Sequence, residues 1–492
     1  MPKLIFLLLS IFLGSVVGSQ ASSAIELSSR GKEAFDLGVA AAKQQNFTLA
    51  EQYFLDAQAA DPDAPEIWFN LGLAQSRNPG QELSAAASLK AYLLDRPNDP
   101  KRDAILKLTA TLEDTTRKQI QVLLEQETQW ANSRETREYC ERQRELFEIA
   151  SVELAAGLSR DADTTIRAIE SRTKDCGDLP DMYAALARGA ARGRNIKVAE
   201  HYLELLESEF IKKPPRYKWV TFLDDTRTRI YLMPSYRNSN NINEINKKVI
   251  EPAKSLQQYI EYLLQSGQSR NSELDYEGDV VRLAACAQRT RVGYQPSVAE
   301  ELLTTTRDAT IESVQRAGRN DLKLVRFAIV FHFMGMQESA TRTLERVQSP
   351  SLKTKWLGLI KDQNGGAVGA AEEARIIVDA YWDREFAYKD IDENGVNGGY
   401  HYFETVNTLM CLNDQLAKYT LRQIGREGID LYLCYYRGDG KIPLGLDVKV
   451  SRCMNRMTSE PKGSDQIFSE LIRLASDLAD GLSYVAINDR WQ

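Results

Sequence analysis

The sequence predicts an all-α chain, an array of stacked helical hairpins closed by a small C-terminal α+β cap or β-hairpin insertion. Three observations carry that expectation. Glycine (29) and proline (15) are sparse for 492 residues, which favours helices over frequent tight turns. Small and large apolar residues recur at fixed offsets near the N-terminus, as consecutive hairpins require. Only one segment, Ile429 to Tyr436, is dense in strand formers, followed by the turn-like Arg437-Gly438-Asp439-Gly440 and a possible return strand to Val450. Composition is otherwise ordinary, 43% hydrophobic and 27% charged, which excludes a disordered or polytopic membrane chain. A net charge of -7 argues against a general nucleic-acid binder.

Residues 1–21 read as a secretory signal peptide. Lys3 gives the positive start, Leu4 to Val17 the apolar core, and Ser19 and Ala21 the small residues of a cleavage site. The apolar run is shorter than the roughly 20 residues of a spanning helix, so cleavage and no stable membrane insertion are expected. Its removal takes Lys3 and no acid, moving the charge from -7 to -8. The expected location is secreted or periplasmic. Export makes disulfides possible for Cys140, Cys176, Cys286, Cys411, Cys434 and Cys453; spacing cannot choose the pairing, and Cys140 with Cys176 is preferred as a link between neighbouring helical segments. Asn46-Phe47-Thr48 is a glycosylation sequon.

The repeat begins at Gly31. Counting from it, Leu37, Gly38 and Ala41 fall at positions 7, 8 and 11, and Ala50, Phe54, Ala57 and Pro62 at 20, 24, 27 and 32. The next unit starts at Pro65, with Trp68, Leu71 and Gly72 at positions 4, 7 and 8. After a one-residue insertion, Ala85, Leu89, Tyr92 and Pro97 follow at matching spacing. Small residues at 8 and 20 let two helices approach, a large residue at 24 fills the crossing, and proline ends the second helix. This pattern resembles the tetratricopeptide repeat over residues 31–100. Degenerate versions recur at Tyr183, Leu186, Ala187, Ala190, Ala199 and Leu203, at Leu324, Phe327, Ala328, Phe331, Ala340 and Leu344, and loosely at Leu283 to Leu303. The expected domains are therefore 22–100 for clear repeats, 101–350 for degenerate ones, and 351–492 for a C-terminal helical region with a β-hairpin near 429–450. Within 101–150 a charged helix pair is expected, its charges forming a solvated face.

The tetratricopeptide resemblance implies protein or peptide binding on the face of the first helix in each repeat. It assigns that face to Lys32, Phe35, Val39, Phe69, Asn70 and Leu73. Asn70 stands where chaperone-binding members carry asparagine, but Phe35 and Val39 replace their polar residues, so an apolar or helical ligand is expected. Asp390, Asp392 and Asn394, followed by Gly395, resemble the first half of a calcium-binding EF-hand loop. The second half departs: Asn397 occupies the apolar position and His401 that of the bidentate glutamate. No cofactor is expected, with calcium the alternative.

His201, His332 and His401 are far apart, and no G-x-S-x-G, phosphate-loop or dinucleotide fingerprint occurs. These absences favour a binding protein over an enzyme. The rival expectation is an exported hydrolase, possibly acting on cell-envelope polysaccharide, with its site in 366–492 and the repeats as a targeting arm.

Overall fold

The computed structural model describes residues 26–133, 139–170, 179–211, 321–361 without 334, 414–427, and isolated positions in 304–308 and 472–485. Among the described residues there are helices and no strands. They are α1 (Ser29–Lys43), α2 (Phe47–Ala60), α3 (Pro65–Gln75), α4 (Glu82–Asp95), α5 (Arg102–Ser133), α6 (Tyr139–Ala155), α7 (Ser159–Glu170), α8 (Leu179–Arg192), α9 (Ile196–Ile211), α10 (Asp321–Phe333), α11 (Gln337–Glu345), α12 (Pro350–Lys361) and α13 (Asp414–Glu427). The expected signal segment, the loop at 390–394, the looser repeat at 283–303 and the hairpin near 429–450 lie outside the described residues.

Helices pair as α1/α2, α3/α4, α6/α7, α8/α9 and α10/α11. One turn recurs inside most of these pairs. Gln45, Gly157, Arg194 and Gly335 adopt left-handed φ of 61°, 78°, 64° and 76°. The following residue then donates its N–H five residues back: Asn46 to Ala41, Leu158 to Glu153, Asn195 to Ala190 and Met336 to Phe331. This is a Schellman ending, which satisfies carbonyls that a helix terminus otherwise leaves open. The same residue's carbonyl starts the next helix, accepting from Ala50, Ala162, Ala199 and Ala340. All four alanines are fully buried. Local chemistry supports the turns: the Asn46 side chain accepts from the Leu49 N–H at 3.2 Å and caps α2. Between α3 and α4 the turn is longer and uses Gly80 at φ 83°, where the one-residue insertion falls.

The crossings follow from the spacing. A Cβ on Gly38 would lie 2.6 Å from the Phe54 ring, and one on Gly72 would lie 2.7 Å from Leu89. Ala187 with Leu203 and Ala328 with Leu344 occupy the equivalent positions and are buried. The pair α6/α7 was not anticipated as a repeat. Yet Leu146, Ile149, Ala150, Ala162, Ile166 and Ile169 keep the same register and are all buried. Glu153 stands at position 11, where the other hairpins carry Ala41, Gln75, Ala190 and Phe331, and its charge disguised the pattern. His332 is half-buried, its Nδ1 2.8 Å from Gln337 Oε1.

The expected solvated face in 101–150 is only partly so. Glu113 and Glu127 are buried. Glu113 meets Lys90 of α4 at 2.7 Å, and Lys90 also donates to the Val485 carbonyl at 3.1 Å. Burial, with the charge of Glu145, pushes the Glu127 carboxyl up to about 8. Burial likewise pushes Glu153 up to about 7, against a hydrogen bond from Thr165. Both folded-state values exceed the ordinary 4.5, so the folded chain holds these protons longer than the unfolded one. Stability therefore falls as pH rises from about 5 to about 8. Glu127→Gln with Glu153→Gln is expected to flatten that slope and to make the chain more stable than the wild type at pH 9. Urea midpoints at pH 5 and 9 measure it.

One apolar cluster runs from Ala41 through Leu206 and takes in Leu421, Ile424 and positions in 472–485. In α4 every residue from Leu83 to Leu93 is buried. Its sequence, ELSAAASLKAYLLD, has small residues where a surface helix would carry charge. The reason is α13, which packs on it. Cys140, at the start of α6, is disulfide-bonded; its preferred partner, Cys176, lies outside the described residues.

Candidate functional site

Two surfaces can be built from the described residues. The first is the first-helix face expected from the repeat. Lys32 is exposed, Phe35, Val39, Phe69 and Asn70 are half-buried, and Leu73 is buried. Phe35 tilts against Phe54 at a centroid distance of 5.6 Å. Phe69 meets Tyr92 at 5.0 Å, and the Lys101 ammonium stands 5.7 Å over its ring. The Asn70 amide donates to the Glu66 carbonyl of its own helix at 2.8 Å. The face thus offers Phe35, Val39 and Phe69 as a half-buried apolar row, with Lys32 at its edge. Leu73 serves the core.

The second surface was invisible in the sequence. It forms where α13 meets the ends of α2 and α4. Arg422 is 4% exposed and bridges two carboxylates: Nη1 to Asp63 at 2.5 Å and Nη2 to Asp95 at 2.6 Å. Its guanidinium lies 5.5 Å over the Trp68 ring and 5.1 Å over Tyr419. Lys418 adds a contact to Asp95 at 3.0 Å. The Tyr419 hydroxyl donates to Asp63 at 2.6 Å. Burial alone would raise the Asp63 pKa; the Tyr419 hydroxyl and Arg422 outweigh it and hold the carboxyl below its usual value. The Tyr419 hydroxyl is pushed well up by burial and by the same hydrogen bond.

Close approach sets the register of α13. The Gly425 carbonyl accepts from Gln75 Nε2 at 2.6 Å, and Gln75 Oε1 accepts from the Ser88 hydroxyl at 2.9 Å. A Cβ on Gly425 would stand 2.3 Å from Ser88 Oγ, so only glycine seats here without displacing Ser88. No spacing rule links residue 63 or 95 to 422. The available signal was the small-residue run of α4, which called for a covering helix.

Trp68 and Gln75, the α3 residues that meet α13, share one side of that helix. Phe69 and Leu73 lie roughly 100–160° round from them. The α13 contact therefore leaves the first-helix row uncovered by α13. Among the described residues, no group of three or more His, Cys, Asp and Glu side chains could hold a metal ion, and no helix is long and apolar enough to cross a membrane. The positions proposed for calcium lie outside the described residues, as does most of 366–492. No family model matches the chain, and no curated protein or solved structure matches it either.

Proposed function

We propose that the chain is an exported solenoid of tetratricopeptide type that binds a protein or peptide partner through the first-helix face of its N-terminal hairpins. The observation that carries this reading is the half-buried row Phe35, Val39 and Phe69, repeated on successive hairpins and standing on a different side of α3 from the α13 contact. Half-buried aromatic side chains on a rigid helical frame suit an apolar or helical ligand, since little side-chain freedom remains to be lost on binding. Export is supported by the Lys3 start, the apolar run to Val17 and the small residues at Ser19 and Ala21. The acidic balance favours a protein or peptide over nucleic acid as the partner.

Affinity capture from the exported fraction, followed by titration of the partner recovered, tests the reading. Phe35→Ala combined with Phe69→Ala is expected to weaken the recovered partner by about tenfold or more, with far-UV circular dichroism unchanged. A preparation that retains no partner, or one whose affinity ignores both substitutions, counts against it.

A further inference from the structure

A stacked hairpin array is closed by contacts between neighbours. The helices α1 to α4 obey that rule, with Phe54 over Gly38 and Leu89 over Gly72. The helix α13 does not. It packs on α4, yet Arg422 reaches Asp95 across 327 residues of chain. Its seated face has the spacing of a helix bound in a groove: Lys418, Leu421, Arg422 and Gly425 fall at i, i+3, i+4 and i+7. Lys418 and Arg422 bring the cations, and Asp63 and Asp95 of the array the anions. Leu421 is fully buried in the apolar cluster, and Gly425 allows the close approach to Ser88. So α13 meets the array as a ligand helix does, with charge matched to charge and a small residue at the tightest point.

Three features make this seat exchangeable. The Asp63 side chain is 48% exposed although paired with Arg422, so a second cation can reach it while α13 is in place. The α2 edge of the seat is not closed: a cleft of about 190 Å³ lies between the end of α2 and α13, its lining including Ala59, Pro62, Trp68 and Arg426. Arg422 Nε is sealed with no hydrogen-bond partner. Seating α13 leaves that donor unmet, and release into water satisfies it.

We propose that the side of the N-terminal hairpins formed by Asp63, Trp68, Gln75, Ser88 and Asp95 is a docking site for an amphipathic helix of a partner protein, held in this structure by α13 as an internal ligand. The partner helix carries lysine and arginine four residues apart and a small residue three further on, and it enters by displacing α13. Its arginine takes the place of Arg422 between the two carboxylates and over the Trp68 ring. This site differs from the first-helix row, since Trp68 and Gln75 stand on another side of α3 from Phe69. Because α13 is tethered, it competes at high effective concentration, and a free helix binds only the fraction of chains whose seat is vacated.

The probe is a fluorescein-labelled peptide of residues 414–427, DQLAKYTLRQIGRE, titrated with the full chain and followed by fluorescence anisotropy. Arg422→Ala in the chain weakens the resident helix and keeps both carboxylates. That variant is expected to bind the peptide about tenfold or more tighter than the wild type does, and to lose about tenfold or more when the peptide itself carries R422A. Adding Asp63→Asn and Asp95→Asn to the Arg422→Ala chain is expected to abolish the gain. Gly425→Ala is the second variant, for the case where Arg422→Ala lowers the helical circular dichroism. Its Cβ would meet Ser88 Oγ at 2.3 Å, so it loosens α13 and should also bind the peptide more tightly than the wild type. No binding by either variant, equal binding of the R422A peptide, or equal affinity in wild type and variants would overturn the proposal. So would sedimentation of the wild type as a dimer that the peptide splits, because the occupant would then be a second copy of this chain.

Discussion

Phe54→Ala is expected to cost about 3–5 kcal/mol of folding free energy, and Gly38→Leu in the same chain to recover part of it. Phe54 is fully buried and packs against Phe35. Its ring sits directly over Gly38, where any Cβ would meet it at 2.6 Å. Gly38→Leu alone drives a side chain into that ring and should destabilise. Once the ring is gone, the same leucine enters the space it left. The two substitutions are thus predicted to be strongly non-additive, the double variant losing less than either sum of parts requires. Urea midpoints for both singles and the double measure the coupling. Simple additivity would mean that the crossing of α1 and α2 is not closed by this pair.

Gly189→Ala carries the second large effect, about 2–4 kcal/mol of destabilisation. On intrinsic propensity alone, alanine should improve a helix by roughly 1 kcal/mol over glycine. Here the added Cβ would stand 2.2 Å from the Ser151 carbonyl oxygen of α6. That atom is backbone, so relief requires α6 and α8 to move apart. Gly193 makes an even closer approach to the Leu154 carbonyl, at 1.8 Å, so the two glycines mark one line of contact. Gly358 supplies the contrast: it is exposed in α12 and a Cβ there meets nothing within 4 Å. Gly358→Ala should therefore stabilise, by about 0.5–1 kcal/mol. Opposite shifts in melting temperature for one chemical change would establish that backbone contact decides the sign. A neutral Gly189→Ala would show that α6 and α8 slide without cost.

Those results bear on what the sequence could reveal. Gly38, Ala50 and Phe54 were legible because a hairpin repeats its contacts at fixed offsets, and periodicity survives in one dimension. Leu146, Ile149 and Ala150 kept the same offsets but were passed over, since Glu153 interrupts them and flanking charges mask the stripe. Leu73 was assigned to a binding face and is buried instead, because position alone does not tell how deep a residue sits. The Arg422 bridge was beyond reach for a different reason. Asp63 and Asp95 acquire their partner from a helix more than three hundred residues away, and no spacing encodes that meeting. Only the surplus of small residues in α4 betrayed it, as a helix too bare of charge to face water.

That bareness has a consequence for how the chain comes into being. The outer side of α4 waits for residues 414–427, which leave the ribosome long after Asp95. At roughly 5–20 residues per second, the interval is about 15 s to a minute. Throughout it, Ser88 has no Gly425 against it, and Asp63 and Asp95 have no Arg422. The N-terminal hairpins are made first yet completed last, so their maturation is timed by the far end of the chain.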